Sequence, residues 1–291
     1  MIPRFSRRRL MGAALAALLA PTLTPLSALA DPASRIVGVG GSVTETVYAL
    51  GAGDRLVARD TTSTFPEAAT ALPDVGYIRR LSPEGVLSVA PDLIIAEDGA
   101  GPPETVQILQ QAEIPFITVP AALDASGVAA KIRAVGAALE LEAEADALAT
   151  GIEEQIAEVA RKSAEVPTPT RVMFVLSAAG GRLMASGQGT AADAMIRLAG
   201  GTNAVQGFPG YKQLTDEAVL TAAPDVILMM ERGGGGNHGP EGVLSHPAIA
   251  ITPAGQAGRL VQMDGLYLLG FGPRTADALS DLHAALYPAG N

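Results

Sequence analysis

The sequence has 291 residues with 30 acidic and 20 basic side chains, and it contains neither cysteine nor tryptophan. The lack of cysteine excludes disulfides, cysteine-ligated zinc, iron–sulfur clusters and a thiol nucleophile, and we expect no cysteine-linked lipid anchor. The acidic balance disfavours binding to nucleic acid or to anionic lipid, although a local basic pocket is compatible with it.

Residues 1–30 have the pattern of an export signal peptide. Four arginines precede an apolar run from Leu10 to Ala20, and Ala28 and Ala30 form a small-x-small cleavage pattern. The apolar run is shorter than the roughly 20 residues that span a bilayer. The letters SRRRLM resemble a twin-arginine signal, and an ordinary secretory signal is the alternative. When all four arginines leave with the signal, 16 basic and 30 acidic side chains give a formal charge of −14.

In residues 31–124, short β-rich runs alternate with helical stretches. Strands are predicted over 35–40, 55–60, 91–97 and 115–120, and helices over 41–53, 82–90 and 102–112. Ser42 and Glu45 predict a capping box at the start of the first helix. This alternation is typical of a parallel α/β sheet.

Residues 125–165 are rich in alanine, glutamate and leucine. They predict one helix to about Leu139, a brief break, and a long helix from about Glu142 to Ala164. At 1.5 Å per residue the second helix is roughly 33 Å long, about the breadth of a small domain.

The α/β pattern restarts in residues 166–291. Strands are predicted over 171–177, 224–230 and 260–265, and helices over 190–200, 216–223 and from about Arg274. The fold class is therefore α/β, with two Rossmann-like lobes around central parallel sheets, joined by a long helix.

One motif occurs twice, at a constant offset of 133 residues. Leu81–Asp92 and Leu214–Asp225 each contain a helix, a Pro-Asp pair and the start of a buried strand, and a Gly-Tyr pair precedes each copy. The copies are either two similar building blocks without a shared role, or two lobes whose strand-end loops face each other across a ligand cleft.

The loop before the first copy contains Tyr77, Arg79 and Arg80. A phenolate is a hard oxygen ligand for ferric iron, and a nearby guanidinium favours that anionic form. Arginine also binds carboxylates in a bidentate manner. The alternative is that the tyrosine ring packs on the lobe surface and the arginines are only solvated.

Tyr211 and Lys212 occupy the corresponding loop of the second copy, shifted by one residue, and Arg182 lies in a glycine-rich loop. Together with the first loop they could offer aromatic faces and cations to a flat, apolar, anionic ligand. Plain surface loops are the alternative for these residues.

Glu84 and Glu217 fall in the first turn of the two repeated helices. Interaction with the helix dipole, about 0.3–1 kcal/mol, accounts for such positions. Two symmetric docking points for a twofold partner account for them as well.

The chain has no GxSxG motif or P-loop, so the sequence favours a binding protein over an enzyme.

Residues 35–103, 189–230 and 252–279 resemble the haem substrate-binding proteins of bacterial ABC importers, and DTTSTFP through GYIRRLSPEG is the most specific stretch. The wider class also carries siderophores and cobalamin. The resemblance implies a periplasmic monomer that holds b-type haem between its lobes and inserts no segment into the membrane. It also implies that Tyr77 ligates the iron, that Arg79 supports the phenolate, and that Glu84 and Glu217 dock onto arginines of a permease dimer with its ATPase subunits.

The loop after the first strand of the second lobe departs from the pattern of these haem-binding proteins. Some relatives place a histidine ligand after the first strand of the second lobe, where this chain has Ala178 and Ala179. The departure argues against a second iron ligand from that loop and against a two-haem stack. A siderophore or cobalamin carrier and an exported α/β enzyme are the alternative functions.

Overall fold

The first lobe contains a sheet of four parallel strands. The computed structural model describes Met1 and residues 32–231 and 240–288, so the predicted export signal lies outside the described residues. The strands are β1 (Ile36–Val39), β2 (Leu56–Arg59), β3 (Leu93–Glu97) and β4 (Phe116–Val119). Their spatial order is β2-β1-β3-β4, as expected for a sheet whose crossovers contain helices.

Three helices belong to this lobe, namely α1 (Gly41–Ala49), α2 (Pro83–Leu87) and α3 (Pro103–Gln111). The predicted elements are all present, but the predicted capping box is wrong. Gly40 precedes α1 without a side-chain cap. Ser42 and Glu45 are buried and bond to Lys131 and Arg274 instead. These side chains face other elements of the fold, so they cannot fold back onto their own helix start.

Two helices form the bridge, α4 (Ala125–Leu139) and α5 (Glu142–Ala164), with the bounds that the sequence predicted. The Asp124 carboxylate caps α4 by accepting a hydrogen bond from the Gly127 N–H at 2.7 Å. Glu140 takes a left-handed conformation that ends this helix. Since α4 packs on α1 and on α5, and α5 packs on the last helix of the chain, the bridge contacts both lobes.

The second lobe has a mixed sheet. Its strands are β5 (Arg171–Ser177), β6 (Met184–Ser186), β7 (Thr202–Asn203), β8 (Tyr211–Gln213), β9 (Val226–Glu231) and β10 (Leu260–Asp264). The order is β10-β9-β5-β6-β8, with β7 beside β5. The predicted parallel arrangement is confirmed for β10, β9 and β5. The sequence did not predict the short parallel strand β7 or the antiparallel strands β6 and β8.

Seven helices accompany this sheet in the described part of the second lobe. They are α6 (Ala191–Leu198), α7 (Asp216–Ala222), α8 (Pro240–Leu244), α9 (Pro247–Ala250), α10 (Pro253–Gln256), α11 (Gly265–Leu269) and α12 (Thr275–Leu286). The sequence predicted α6, α7 and α12, which are the three longest. The exact boundaries of the lobes, at 124/125 and 165/166, stay a prediction.

The repeated motif connects a short helix to the next strand in the same way in both lobes, and we call this connection the joint of each lobe. Arg35, at the start of the first strand, donates from Nε to the carbonyl of Ala90 at 2.8 Å. Arg171 donates in the same way to Ala223 at 3.3 Å. Both alanines have positive φ, 48° and 38°, at the point where the repeated helix turns into the next strand. An arginine thus satisfies carbonyls at the end of each short helix.

The other end of each joint is also matched. Ser82 caps α2 by accepting from the Gly85 N–H, and Thr215 caps α7 through the Ala218 N–H. The two copies of the repeat are therefore built alike at both ends of the short helix.

One apolar cluster runs through both lobes and the bridge. It includes Ile36 of β1, Ile132 of α4, Ile152 of α5, Val172 of β5 and Leu279 of α12. Two further clusters cover the opposite faces of the sheets. Among residues 32–231 and 240–288, no helix combines the length and apolar character needed to cross a bilayer.

Candidate functional site

The candidate site is formed by loops at the carboxyl ends of the parallel strands. In the first lobe, β2 is followed by the segment from Asp60 to Pro66, and the loop with Tyr77 runs beside it. In the second lobe, β5 is followed by the loop with Arg182. Strand ends of this kind form the ligand crevice in open α/β sheets.

A buried carboxylate organises the first-lobe side of the site. Asp60 is fully buried and accepts hydrogen bonds from the Gly40 N–H, the Thr62 N–H, and the hydroxyls of Thr62 and Ser63, all at 2.8–3.0 Å. Residues 60–63 therefore connect the end of β2 to the turn between β1 and α1 through hydrogen bonds. This role was not apparent from the sequence, because it depends on a contact across 20 residues.

The backbone of the Tyr77 loop is fixed at several points. Gly76, at φ 105°, accepts from the Thr61 N–H at 3.0 Å, and the Tyr77 carbonyl accepts from the Arg80 N–H at 2.7 Å. Gly101 donates to the Ile78 carbonyl at 2.9 Å. The Tyr77 side chain is nevertheless 40% exposed. The Tyr77 ring is therefore exposed on a backbone that hydrogen bonds hold in place.

The second-lobe tyrosine and lysine do not lie in a loop, which corrects the sequence prediction. Tyr211 and Lys212 belong to β8, paired with Ser186 and Ala185 of β6. The strand is only three residues long and exposed, so it lacks the apolar alternation that reveals a strand. The Tyr211 ring packs edge-on against Phe174, with 6.4 Å between ring centroids.

The electrostatic surroundings of Tyr211 include a charge from the other lobe. Burial raises the pKa of the Tyr211 phenol above its usual value, while a hydrogen bond to Thr190 and the charge of Arg79 partly lower it. The positive charge of the first-lobe guanidinium thus acts electrostatically on the second-lobe phenol. Among the described residues, no side-chain hydrogen bond joins Arg79, Arg80, Arg182 or Lys212 to either tyrosine.

The predicted cations of the site are exposed and free of carboxylates. Arg79, Arg80, Arg182 and Lys212 take part in none of the ion pairs formed within the described ranges. The Lys212 ammonium lies 5.2 Å from the centre of the Phe208 ring, a cation–π distance. Such cations can meet an anionic ligand without first breaking a salt bridge.

The two repeated glutamates are exposed in the first turn of their helices, as predicted. Glu84 follows the cap of α2, and Glu217 follows that of α7. Glu217 also borders a cavity of about 400 Å³ between α7 and residues 204–208. Their role in docking stays a prediction.

Sequence reasoning did not find a group of buried charges near the site. Lys131 is fully buried and bonds to Ser42 and Glu97, and Glu45 pairs with Arg274. The sequence did contain one indication of this group, because Lys131 is a lysine on the otherwise apolar face of α4. A buried lysine requires charged or polar partners.

Two solved structures closely resemble this chain. The periplasmic heme-binding protein BhuT, solved with two hemes, has 43% identity and a TM-score of 0.82, with 87% of this chain and 97% of that chain covered. The periplasmic heme-binding protein RhuT from Roseiflexus sp. RS-1, in apo form, has 39% identity and a TM-score of 0.83, with 87% and 98% covered.

A curated relative and a family model also match. An uncharacterized ABC transporter substrate-binding lipoprotein of Bacillus subtilis (strain 168), YvrC, is 25% identical over 257 residues, which are 87% of this chain and 80% of the relative. These relatives are binding proteins rather than enzymes. The model of the periplasmic binding proteins matches residues 36–266, and the two-lobed α/β fold agrees with it. The chain therefore belongs to the periplasmic binding protein family.

Proposed function

We propose that this chain captures b-type haem between its two lobes in the periplasm and delivers it to an ABC importer. The observation that carries the proposal is Tyr77, an exposed phenol on a loop whose backbone is held by hydrogen bonds. The names of the two similar solved structures, both heme-binding proteins, support the same ligand.

The residues of the site suit each part of a haem molecule. Tyr77 supplies an oxygen ligand for the ferric iron, and the resemblance to haem-binding proteins implies that Arg79, two residues later, supports it. The rings of Tyr77 and Tyr211 offer faces to the apolar porphyrin. Arg80, Arg182 and Lys212 supply cations for the propionates.

The second lobe adds no iron ligand after β5. Ala178 is buried and Ala179 begins a short 3₁₀ turn, and neither side chain can bind a metal. We therefore assign the iron to Tyr77 alone among the loop residues considered, and haem stoichiometry becomes a quantity to measure.

The partner in transport is a permease dimer with its ATPase subunits. Glu84 and Glu217 are exposed on two short helices built in the same way in each lobe. A monomer that presents two acids at a fixed span can contact one cationic site on each permease subunit. Export follows the twin-arginine or the ordinary secretory route.

Binding experiments with three ligands test the proposal. The protein is titrated with hemin, hydroxocobalamin and a ferric siderophore, with visible absorption and calorimetry as readouts. We expect saturable hemin binding, a Soret shift and a tyrosinate–ferric charge-transfer band. Arg133→Ala, an exposed site on the bridge, serves as the control. Saturable binding of cobalamin or the siderophore, with no saturable binding of hemin, would overturn the proposal.

A further inference from the structure

A second junction between the lobes lies apart from the bridge. The segment Gly270–Arg274, between α11 and α12 of the second lobe, contacts α1 of the first. Glu45 accepts three hydrogen bonds from Arg274: from the backbone N–H at 3.1 Å, from Nε at 3.0 Å and from the terminal guanidinium nitrogen at 2.9 Å. The Glu45 side chain is only 5% exposed, so water does not replace these bonds.

Aromatic rings from both lobes surround the same arginine. The Arg274 guanidinium lies 3.5 Å from the centre of the Phe65 ring, in the DTTSTFP stretch of the first lobe, and 5.1 Å from that of Tyr267 in the second. Guanidinium stacking on such rings is favourable and directional. The arginine is therefore held in one orientation rather than only neutralised.

A buried lysine reaches the same segment from the other side. The Lys131 ammonium donates to the Ser42 hydroxyl at 3.0 Å and to the Glu97 carboxylate, and it lies 3.4 Å from the Gly270 carbonyl. Its contacts join α4, α1 and β3 to the second-lobe segment. Arg274 of the second lobe thus binds the first lobe, and Lys131 of the bridge helix α4 binds both the first lobe and the second-lobe segment.

Local geometry shows that this segment is closely constrained. Phe271 is buried and has φ +50°, a conformation that is unusual for an aromatic residue and persists only where the surroundings enforce it. A Cβ atom at Gly41 would lie 2.5 Å from a Leu266 methyl carbon, so the two lobes touch there without room for a side chain.

We propose that the Glu45–Arg274 pair is a positioning clamp, which, together with the α5 helix, fixes the separation of the lobes and hence the width of the cleft. A single helix resists bending but permits twisting about its axis, whereas a second, distant junction removes that freedom. That the cleft is the ligand site rests on the proposed function. The clamp itself can be tested without any ligand.

Interlobe distances measured by pulsed electron–electron resonance test this clamp. Ser88→Cys and Thr221→Cys place spin labels at exposed, repeat-related positions of a chain with no cysteine of its own. Glu45→Gln keeps the shape of the side chain but removes its charge. Asp146→Asn is the matched control, because it breaks the exposed Arg133–Asp146 pair between α4 and α5. All proteins are measured without ligand and then with hemin.

We expect one narrow distance distribution for the wild type and for Asp146→Asn. For Glu45→Gln we expect a broader distribution, with a mean shifted by about 2 Å or more, and a narrower one after hemin is added. A lower melting temperature with an unchanged distribution would show that the pair contributes only stability, and would overturn the proposal. If Glu45→Gln does not fold, Arg274→Lys, which loses the bidentate fork, is judged by the same criteria. Because the ligand-free distances decide the matter, failure of hemin binding is a separate result.

Discussion

Tyr77 and Tyr211 have nearly equal exposure, 40% and 38%, yet their surroundings suit different roles. Tyr211 packs against Phe174, and burial raises the pKa of its phenol, so at neutral pH it is protonated. A protonated phenol serves as a ring face or a hydrogen-bond donor, and it is a poor ligand for ferric iron. Tyr77 is followed two and three residues later by Arg79 and Arg80, which form no ion pair in the described ranges, and it is the tyrosine that we propose as the iron ligand.

The electrostatic effect of Arg79 on Tyr211 gives a prediction about pH. Arg79→Ala removes a positive charge that favours the Tyr211 phenolate, so the pKa of Tyr211 should rise further above its usual value. A pH titration followed by NMR of labelled tyrosines measures this, and Tyr211→Phe identifies the signal. Arg80→Ala, which removes the same charge one residue away, should leave the titration unchanged. Equal shifts in both variants would contradict a specific effect of Arg79 on the Tyr211 phenol.

The position of Tyr77 was predictable from the sequence, whereas the surroundings of Tyr211 were not. Gly76, Ser82 and Pro83 mark a loop and a helix start by local signals. Tyr211 belongs to a strand that exists because it pairs with β6, about 25 residues earlier in the chain. Long-range pairing of three residues leaves no periodic signal, and the same holds for the Glu45–Arg274 contact.

At the scale of secondary structure, the long elements followed from periodicity. The bounds of α5 and β5 match the prediction because each has an unbroken apolar pattern and clear ends. The short helices α8 to α11 were missed, since four or five residues do not complete two turns. The repeat was visible in sequence, but its physical basis, an arginine that satisfies the carbonyls ending each short helix, required the structure.

The first joint gives a prediction about acid stability. Burial raises the pKa of Asp92, but hydrogen bonds from the backbone of Ser34 and Arg35 and from the Ser34 hydroxyl outweigh it and lower the pKa below its usual value. The carboxylate therefore stabilises the fold above about pH 4, and this contribution is lost as the pH falls through the lowered pKa.

Asp92→Asn should reduce the free energy of unfolding by roughly 0.5–1.5 kcal/mol at pH 7, because solvent limits the strength of these exposed bonds. The difference from wild type should shrink at pH values below the lowered pKa. Urea unfolding across a pH series measures it, with Asp54→Asn, an exposed carboxylate, as the control. A difference that does not change with pH would contradict the assignment.

Glu84 and Glu217, in the first turns of α2 and α7, give a prediction about docking to the permease. Glu84→Ala combined with Glu217→Ala should leave hemin affinity unchanged and reduce stability by about 0.3–1 kcal/mol per site at most, since each acid interacts only with a helix terminus. Transporter-stimulated ATP hydrolysis should be lost, and each single variant should be intermediate. Hemin affinity, melting temperature and ATPase stimulation are measured on all three proteins. Normal ATPase stimulation by the double variant would contradict the docking role, and the helix dipole would then be the only interaction assigned to the two glutamates.

At the scale of the whole molecule, three features oppose wide opening. The lobes share one apolar cluster, the bridge contacts both, and the Glu45–Arg274 pair holds them at a second point. This arrangement favours small rocking movements over wide hinge closure.

Small-angle scattering of the ligand-free and hemin-loaded protein measures this movement. We expect the two curves nearly to superimpose, because the bridge is a helix and the second junction is buried. Glu45→Gln should show a larger change between its two states. A large contraction of the wild type on loading would be incompatible with a rigid bridge.

The central claim is that Tyr77 binds the iron of a haem held between the lobes, and the visible spectrum of hemin-loaded Tyr77→Phe tests it most directly. Phenylalanine keeps the ring and removes only the oxygen, and Tyr211→Phe provides the matched control in the opposite lobe. We predict that Tyr77→Phe loses the tyrosinate–ferric charge-transfer band and binds hemin more weakly, while Tyr211→Phe keeps the band. An unchanged band in Tyr77→Phe would contradict the account.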